Sequence, residues 1–136
     1  ARMFMIARYM ETWSHTQAIY DLLNLDRDYS DDIEHIVQIG IKTFKWTFRN
    51  RKLDVPEIFP YLELISPSGD VWSFNDINNM ESIKGKASDF CHVVTQNRNI
   101  KDTDLEVRGK ISEHWMSIAQ CFAGEPEDPP EHGTRK

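Results

Sequence analysis

The chain has 136 residues, 40% of them apolar and 11% aromatic, which is enough material for one domain with a hydrophobic core. This composition excludes a chain that is disordered throughout. The 22 acidic residues against 16 Lys and Arg give a formal net charge of -6, without a basic cluster of the kind that follows a phosphate backbone. Nucleic acid is therefore not expected as a partner.

The sequence also bears on the cellular compartment. No apolar run approaches the roughly 20 residues that a helix needs to cross a bilayer, and the first residues include Arg2 and Arg8 without a cleavable signal pattern. Cys91 and Cys121 lie in segments with helical, core-like spacing, which favours two buried thiols over a disulfide. We therefore expect a cytoplasmic protein that does not contact a membrane.

A long helix is predicted at the start of the chain. From about Met3 to Asn24 there is no Gly or Pro, and apolar residues occupy most of the helical circumference. Such a helix needs neighbours on several sides. Because its periodicity begins within the first few residues, we expect the chain to be a fragment of a larger fold. We also expect a homodimer if the rest of the chain leaves this helix uncovered.

The remaining segments alternate between helix and strand patterns. Asp31 and Glu34 have the spacing of a capping box, which predicts a second helix up to about Arg49. The segments "YLELIS" and "VWSFN" flank the turn "PSGD" as a hairpin, and "MESIKG" and "DLEVRG" predict further short strands. Helical spacing returns up to about Gln96, and a last helix ends at Gly124. The fold class is therefore α+β.

One pair of polar residues interrupts the first helix. At about 100° per residue, Glu11 and His15 share a stripe with apolar neighbours that favour burial. These neighbours are Phe4, Ala7, Ala18 and Leu22. Burying an ionisable group without partners costs several kcal/mol, so we expect a metal ion, an Arg or hydrogen-bonding neighbours to meet the pair.

The spacing of Glu11 and His15 suits a divalent ion. Side chains at positions i and i+4 project side by side, and together they offer one carboxylate oxygen and one imidazole nitrogen to a single cation. The alternative is that the two side chains pair with each other or with a neighbouring helix, and spacing alone does not decide between these interpretations.

Four segments of the chain are similar to a known family. These are "ARYMETWSHTQAIYDLLNL", the hairpin "LELISPSGDVWSF", "IKGKASDFCHVVTQNR" and "DLEVRGKISEHWMSIAQCFAG". In unbroken order they resemble the carboxyl-terminal portion of mycothiol-dependent maleylpyruvate isomerase-like proteins, in an uncharacterised bacterial branch of the DinB-like metal-binding superfamily. The resemblance extends from Ala1 to about Pro126.

The resemblance implies an architecture. Residues 1–28 would be the last helix of a metal-binding four-helix bundle that is truncated here. Residues 29–124 would be a connecting helix and a small sterol-carrier-like α/β domain with an antiparallel-rich sheet. The final residues 125–136, "EPEDPPEHGTRK", are rich in Pro and charge and are expected to be a disordered tail.

The resemblance also implies a function. Glu11 and His15 match the Glu and His that the last bundle helix of the family contributes to a divalent metal, usually zinc, and the third ligand, a His, would lie outside this chain. Three protein ligands and one open position would let the ion activate a bound water or thiol. The complete protein would then be a thiol-dependent transferase or isomerase, with a low-molecular-weight thiol and a small molecule as partners. This fragment alone would be inactive.

The other histidines and the two cysteines favour plain structural roles. Adjacent helical residues point about 100° apart, so we expect Cys91 in the core and His92 at the surface, without a thiolate–imidazole pair. Cys121 is expected to pack and His114 to lie at the rim, while His35 is solvated or paired locally and His132 belongs to the tail.

Two further interpretations of the function remain open. Five aromatic residues either form plain core or line a cavity for an apolar small molecule. They are Trp72, Phe74, Phe90, Trp115 and Phe122. The other interpretation is a structural or dimerisation domain without chemistry of its own, which would show a large apolar self-interface.

Overall fold

The structure is a computed structural model that describes residues 2–135, with side chains from Phe4 onward. Within this range the protein is α+β, as predicted, with five α-helices and one four-stranded mixed sheet. The helices are α1 (Arg2–Leu22), α2 (Glu34–Lys42), α3 (Phe44–Asn50), α4 (Ala87–Val94) and α5 (Lys110–Ile118). The strands are β1 (Tyr61–Ile65), β2 (Val71–Phe74), β3 (Ser82–Lys86) and β4 (Glu106–Arg108). None of the helices in residues 2–135 has the length and apolar character that crossing a bilayer requires.

The sheet has the strand order β2-β1-β3-β4. β1 and β2 form the predicted antiparallel hairpin, β1 and β3 run parallel, and β3 and β4 are antiparallel, so the sheet is antiparallel-rich as expected. The hairpin turn contains Gly69 at a φ of 98°, a left-handed conformation that favours glycine. Alternate residues of the central strands, Leu62, Leu64 and Ile83, are fully buried, which is the period-two pattern of a sheet covered on one face.

The helices supply the other half of the core. Phe44, Phe90 and Trp115 are almost completely inaccessible, and the Trp115 ring meets the Phe44 and Phe90 rings edge-on at centroid distances of 4.8 and 5.8 Å. Edge-to-face pairs of this kind add to the stabilisation that burial alone provides. Gly40 lets α2 approach α4 closely, because a Cβ at this position would lie only 3.0 Å from atoms of Phe90 and Val94.

The first helix shares this core along one face. Ile6, Met10 and Trp13 are buried, and α1 packs against α2. Ser14 donates a hydrogen bond to Asn97 Oδ1 at 2.9 Å, just beyond the end of α4. The buried face of α1 therefore belongs to the same core as the elements that follow it.

Several predicted element ends differ from the structure. The capping box is wrong: Asp31 begins a 3-10 turn, and its carboxylate accepts hydrogen bonds from Ser68 N and Oγ at 3.0 and 2.6 Å. The second helix is divided at Thr43, whose hydroxyl donates to the carbonyl of Ile39 at 2.8 Å. The last helix ends at Ile118 and not at Gly124, because Ala119 already has an extended ψ of 136°. At Asp31 a tertiary contact, and at Thr43 a local hydrogen bond, overrides the helical pattern.

The predicted tail has no helix or strand in residues 125–135, but it lies against the folded chain. Gln96 Nε2 donates to the carbonyl oxygens of Ala119 and Glu127 at 3.0 and 2.8 Å. Glu127 N donates to Gln120 Oε1 at 3.0 Å. The composition indicates disorder for this segment, whereas two buried glutamines give its first half specific anchors.

The amino terminus of α5 is capped by a residue from another element. Gly109, at a φ of 98°, precedes the helix and offers no side chain to its backbone N–H groups. Glu81, directly before β3, supplies the acceptor instead. Its Oε1 accepts hydrogen bonds from Ser112 N and Oγ, both at 2.8 Å. A carboxylate at this position also interacts favourably with the helix dipole.

Replacing Glu81 by Ala is expected to lower the free energy of unfolding by about 1–2 kcal/mol, because α5 loses this cap and the dipole partner. Urea denaturation followed by circular dichroism measures the change. The matched control is Glu57→Ala, at an exposed carboxylate, which is expected to leave the midpoint nearly unchanged. Equal midpoints for Glu81→Ala and the unaltered protein would contradict the capping role.

Candidate functional site

Glu11 and His15 lie on the outer face of α1 and are both exposed. The buried face of the helix is formed by Ile6, Met10, Trp13 and Gln17. At about 100° per residue, this face is centred almost opposite His15. The prediction that the pair lies among buried neighbours is therefore wrong for this chain, because Phe4 on the same stripe is 65% exposed and Leu22 is 84% exposed.

The outer face of α1 has an ordered pattern. Its middle turns are polar, with Arg8, Glu11, Thr12 and His15, all exposed. Its two ends carry large exposed apolar side chains, Phe4 and Met5 at one end and Ile19 and Leu22 at the other. Large apolar side chains at both ends of an exposed helix face are typical of a surface that packs against another element.

The two candidate ligands are not paired with each other. Among residues 2–135, ion pairs join Arg51 to Asp128, Arg98 to Asp21 and His132 to Asp102, and none involves Glu11 or His15. The same range contains no group of three or more His, Cys, Asp and Glu side chains with the geometry of a metal site. Within the described residues, neither side chain is engaged in an ion pair.

A second polar cluster lies on the buried side of α1 and was not expected. Tyr29 OH lies 2.7 Å from His92 Nε2 and 3.3 Å from Gln17 Oε1, and Gln17 Nε2 donates to Asp21 Oδ1 at 2.9 Å. Arg98 forms a two-pronged ion pair with Asp21, with N···O distances of 2.5 and 2.8 Å. A continuous hydrogen-bonded network therefore connects α1 with α4.

Arg27 adds a cation to this cluster. Its guanidinium carbon lies 4.9 Å from the centroid of the Trp13 ring, and the Tyr20 and Tyr29 rings are within 6 Å. Its Nη1 donates to Trp13 O at 3.0 Å and to Gln17 Oε1 at 3.2 Å. Arg27 could not be predicted from sequence, because it lies in the aperiodic loop "NLDRDYSD", where spacing carries no signal.

The expected surface position of His92 is wrong. His92 is 5% exposed, and its ring packs at a tilt against Trp13 with centroids 5.2 Å apart. Burial, together with the nearby cations Arg98 and Arg27, lowers the pKa of His92 to about 3, so the imidazole is neutral at pH 7. Its Nδ1 is buried without a hydrogen-bond partner in the described residues.

The two cysteines are buried and unpaired, as predicted. Burial raises the pKa of the Cys91 thiol well above its usual value, and the neighbouring Cys121 adds to this shift. Burial also raises the pKa of Cys121 to about 12. Thiols with such pKa values are protonated and inert at neutral pH, which favours a packing role for both.

The remaining candidates have structural surroundings. His114 is exposed at the rim as predicted and meets the Phe48 ring edge-on, and His35 packs edge-on against Tyr9. His132 Nδ1 lies 2.6 Å from Asp102 Oδ1. Of the five predicted aromatic residues, Phe90 and Trp115 are in the core, while Trp72, Phe74 and Phe122 are half-buried.

Two uncharacterized proteins of Mycobacterium tuberculosis, from two strains, are each 37% identical to this chain over 121 residues. The matched region is 88% of this chain and 47% of each relative, so the chain spans about half the length of the curated relatives it matches. No protein-family model matches the chain, and no solved structure is significantly similar to it.

The neutral, buried His92 makes stability depend on pH. Between pH 6.5 and about 3 the unfolded chain binds a proton on this residue and the folded chain does not. The free energy of unfolding is therefore expected to fall as the pH is lowered through this window, by up to about 1.4 kcal/mol per pH unit from this residue. Urea midpoints measured at pH 7 and at pH 5 test this.

The variant His92→Gln should lose less stability between pH 7 and pH 5 than the unaltered protein, whatever its stability at pH 7. The exposed His114→Gln is the control and should keep the full dependence. A His92 imidazole resonance that titrates near 6.5 in the folded protein would show the prediction to be wrong.

Proposed function

We propose that this chain is the carboxyl-terminal portion of a maleylpyruvate isomerase-like protein of the DinB-like metal-binding superfamily, and that Glu11 and His15 hold a divalent ion, preferably zinc, in the complete protein. One observation carries the proposal: both side chains are exposed and unpaired in the polar middle of the outer face of α1. Carboxylate oxygen and imidazole nitrogen are ordinary zinc donors, and the spacing of four places them on adjacent turns.

The apolar ends of the same face support a covering bundle. Phe4 and Met5 at one end, and Ile19 and Leu22 at the other, would be buried by neighbouring helices, while the polar middle turns would face the interior of the bundle. The matched relatives are about twice as long as this chain, so a complete protein of their length has material for such helices. The third ligand, a His, would come from those residues.

Helices α2 and α3 would be the connecting helix of this architecture, and the sheet with α4 and α5 would form its sterol-carrier-like domain. An antiparallel-rich sheet with helices against its buried residues is compatible with that assignment. The buried, unpaired Cys91 and Cys121 are compatible with the reducing cytoplasm.

The role of the chain in chemistry would be to orient the ion. When bound, zinc with one open position lowers the pKa of a water or thiol held there and so supplies a nucleophile at neutral pH. Glu11 and His15 would fix two coordination directions from one rigid helix. A low-molecular-weight thiol and a small-molecule substrate would then react in a transferase or isomerase reaction, and the present chain alone, with two ligands, would be inactive.

The zinc content of the full-length gene product tests the proposal. We expect about one zinc per chain in the unaltered protein, and a loss of at least roughly tenfold in zinc affinity for Glu11→Ala and for His15→Ala, because each removes one of three ligands. Competition with a chromogenic chelator measures the affinity.

The control for this experiment is His132→Ala, in the tail, which should bind zinc as tightly as the unaltered protein. Circular dichroism spectra should be equal for all variants, since Glu11 and His15 are both exposed in the present chain. Full zinc binding by both Glu11→Ala and His15→Ala would overturn the assignment.

A structural role is the second candidate, favoured by the exposed apolar ends of the outer face of α1. If a second copy covers this face, the present chain should sediment as a concentration-dependent dimer, and Leu22→Asp should shift it to monomer because the buried interface would gain a charge. A monomer at high concentration, combined with zinc bound through Glu11 and His15 in the full-length protein, would exclude it.

A further inference from the structure

A cleft of about 900 Å³ lies between the end of α1, the loop that follows it and residues 133–135. This size is within the range of small-molecule sites. Neither Glu11 nor His15 lines the cleft, so an inference drawn from it does not depend on the metal proposal.

Arg27 lines this cleft, and its positively charged guanidinium is held in place without an ion-pair partner among residues 2–135. Its Nη1 donates to Trp13 O and Gln17 Oε1, and the Trp13, Tyr20 and Tyr29 rings surround the guanidinium. Within residues 2–135, no ion pair joins Arg27 to a carboxylate. A guanidinium carries five N–H donors in one plane, so donors on Nε and Nη2 remain for a ligand.

The other charges of the cleft leave a positive balance. Asp21 is neutralised by its two-pronged ion pair with Arg98, so Arg27 and Arg135 remain against Asp26. A local positive balance is notable in a chain with a net charge of -6. The pKa of the neighbouring His92 is lowered by burial and also by the positive charges of Arg98 and Arg27, which agrees with a positive local potential.

The cleft also has an apolar wall. Ala18, Leu22 and Leu25 line it, and the two leucines are largely exposed. An inorganic phosphate would gain nothing from this wall, and its second charge would be repelled by Asp26. A ligand with one negative charge and an apolar body satisfies both parts of the lining.

We propose that this cleft binds a small aliphatic carboxylate, whose carboxyl group accepts hydrogen bonds from Arg27 and whose chain lies on Ala18 and Leu25. The preformed position of Arg27 favours binding, because its aromatic surroundings have already ordered a side chain that would otherwise lose rotamer freedom. Nothing in the metal proposal is needed for this site.

The test is calorimetric titration of the unaltered chain with acetate, butanoate and hexanoate, and with 1-hexanol and inorganic phosphate as probes. Affinity should rise from acetate to hexanoate, and 1-hexanol and phosphate should bind at least roughly tenfold more weakly than hexanoate. Arg27→Gln should weaken hexanoate binding by about tenfold or more, whereas Arg49→Gln, at an exposed arginine on α3, should have no effect.

Because Arg27 contacts the buried Trp13, replacing it could also disturb the core, so a second variant changes the cleft at an exposed position. Leu25→Asp places a negative charge in the cleft at an exposed position and should also weaken hexanoate binding by about tenfold, while Leu53→Asp, at an exposed leucine outside the cleft, should not. The proposal is overturned if hexanoate does not bind, if phosphate binds as well as hexanoate, or if Leu25→Asp binds hexanoate as the unaltered chain does.

Discussion

The arrangement of the molecule depends on how Trp13 anchors α1. This side chain is 4% exposed, packs at a tilt against the His92 ring of α4 and has the Arg27 guanidinium over its ring. Burying an indole against an imidazole and a cation combines a large apolar area with cation–π attraction. Because this contact fixes the rotation of α1, it also determines that Glu11 and His15 point away from the core.

The same anchor holds a buried polar network that has to be satisfied internally. Tyr29, His92 and Gln17 share hydrogen bonds, and Arg98 is neutralised by Asp21. Burial keeps His92 uncharged, which avoids a third positive charge beside Arg27 and Arg98. The network is therefore compatible with burial only while the imidazole is neutral, and it places two arginines close to the end of α1.

The two proposed sites are neighbours on α1. The stripe that carries Glu11 and His15 continues through Ala18 and Leu22, which line the cleft at the end of α1. The metal proposal uses the polar middle of the outer face and its apolar ends, whereas the cleft proposal uses Ala18 together with Leu25 and Arg27 of the following loop. The orientation of α1 about its axis thus exposes both sites. They differ in charge, because the middle of the outer face carries a carboxylate and an imidazole, whereas the cleft carries a guanidinium.

The sequence alone determined the α+β class, the hairpin and the burial of Cys91 and Cys121, because these follow from local periodicity and turn chemistry. It also singled out Glu11 and His15 as residues on one helical stripe. Only the tertiary structure decided which face of α1 is buried, since apolar residues occur around most of its circumference and periodicity could not choose among them. Three further features were visible only in the tertiary structure: the burial of His92, the hydrogen bonds between Asp31 and Ser68, and the contact of Arg27 with the Trp13 ring. They depend on long-range contacts, which leave no signal in local spacing.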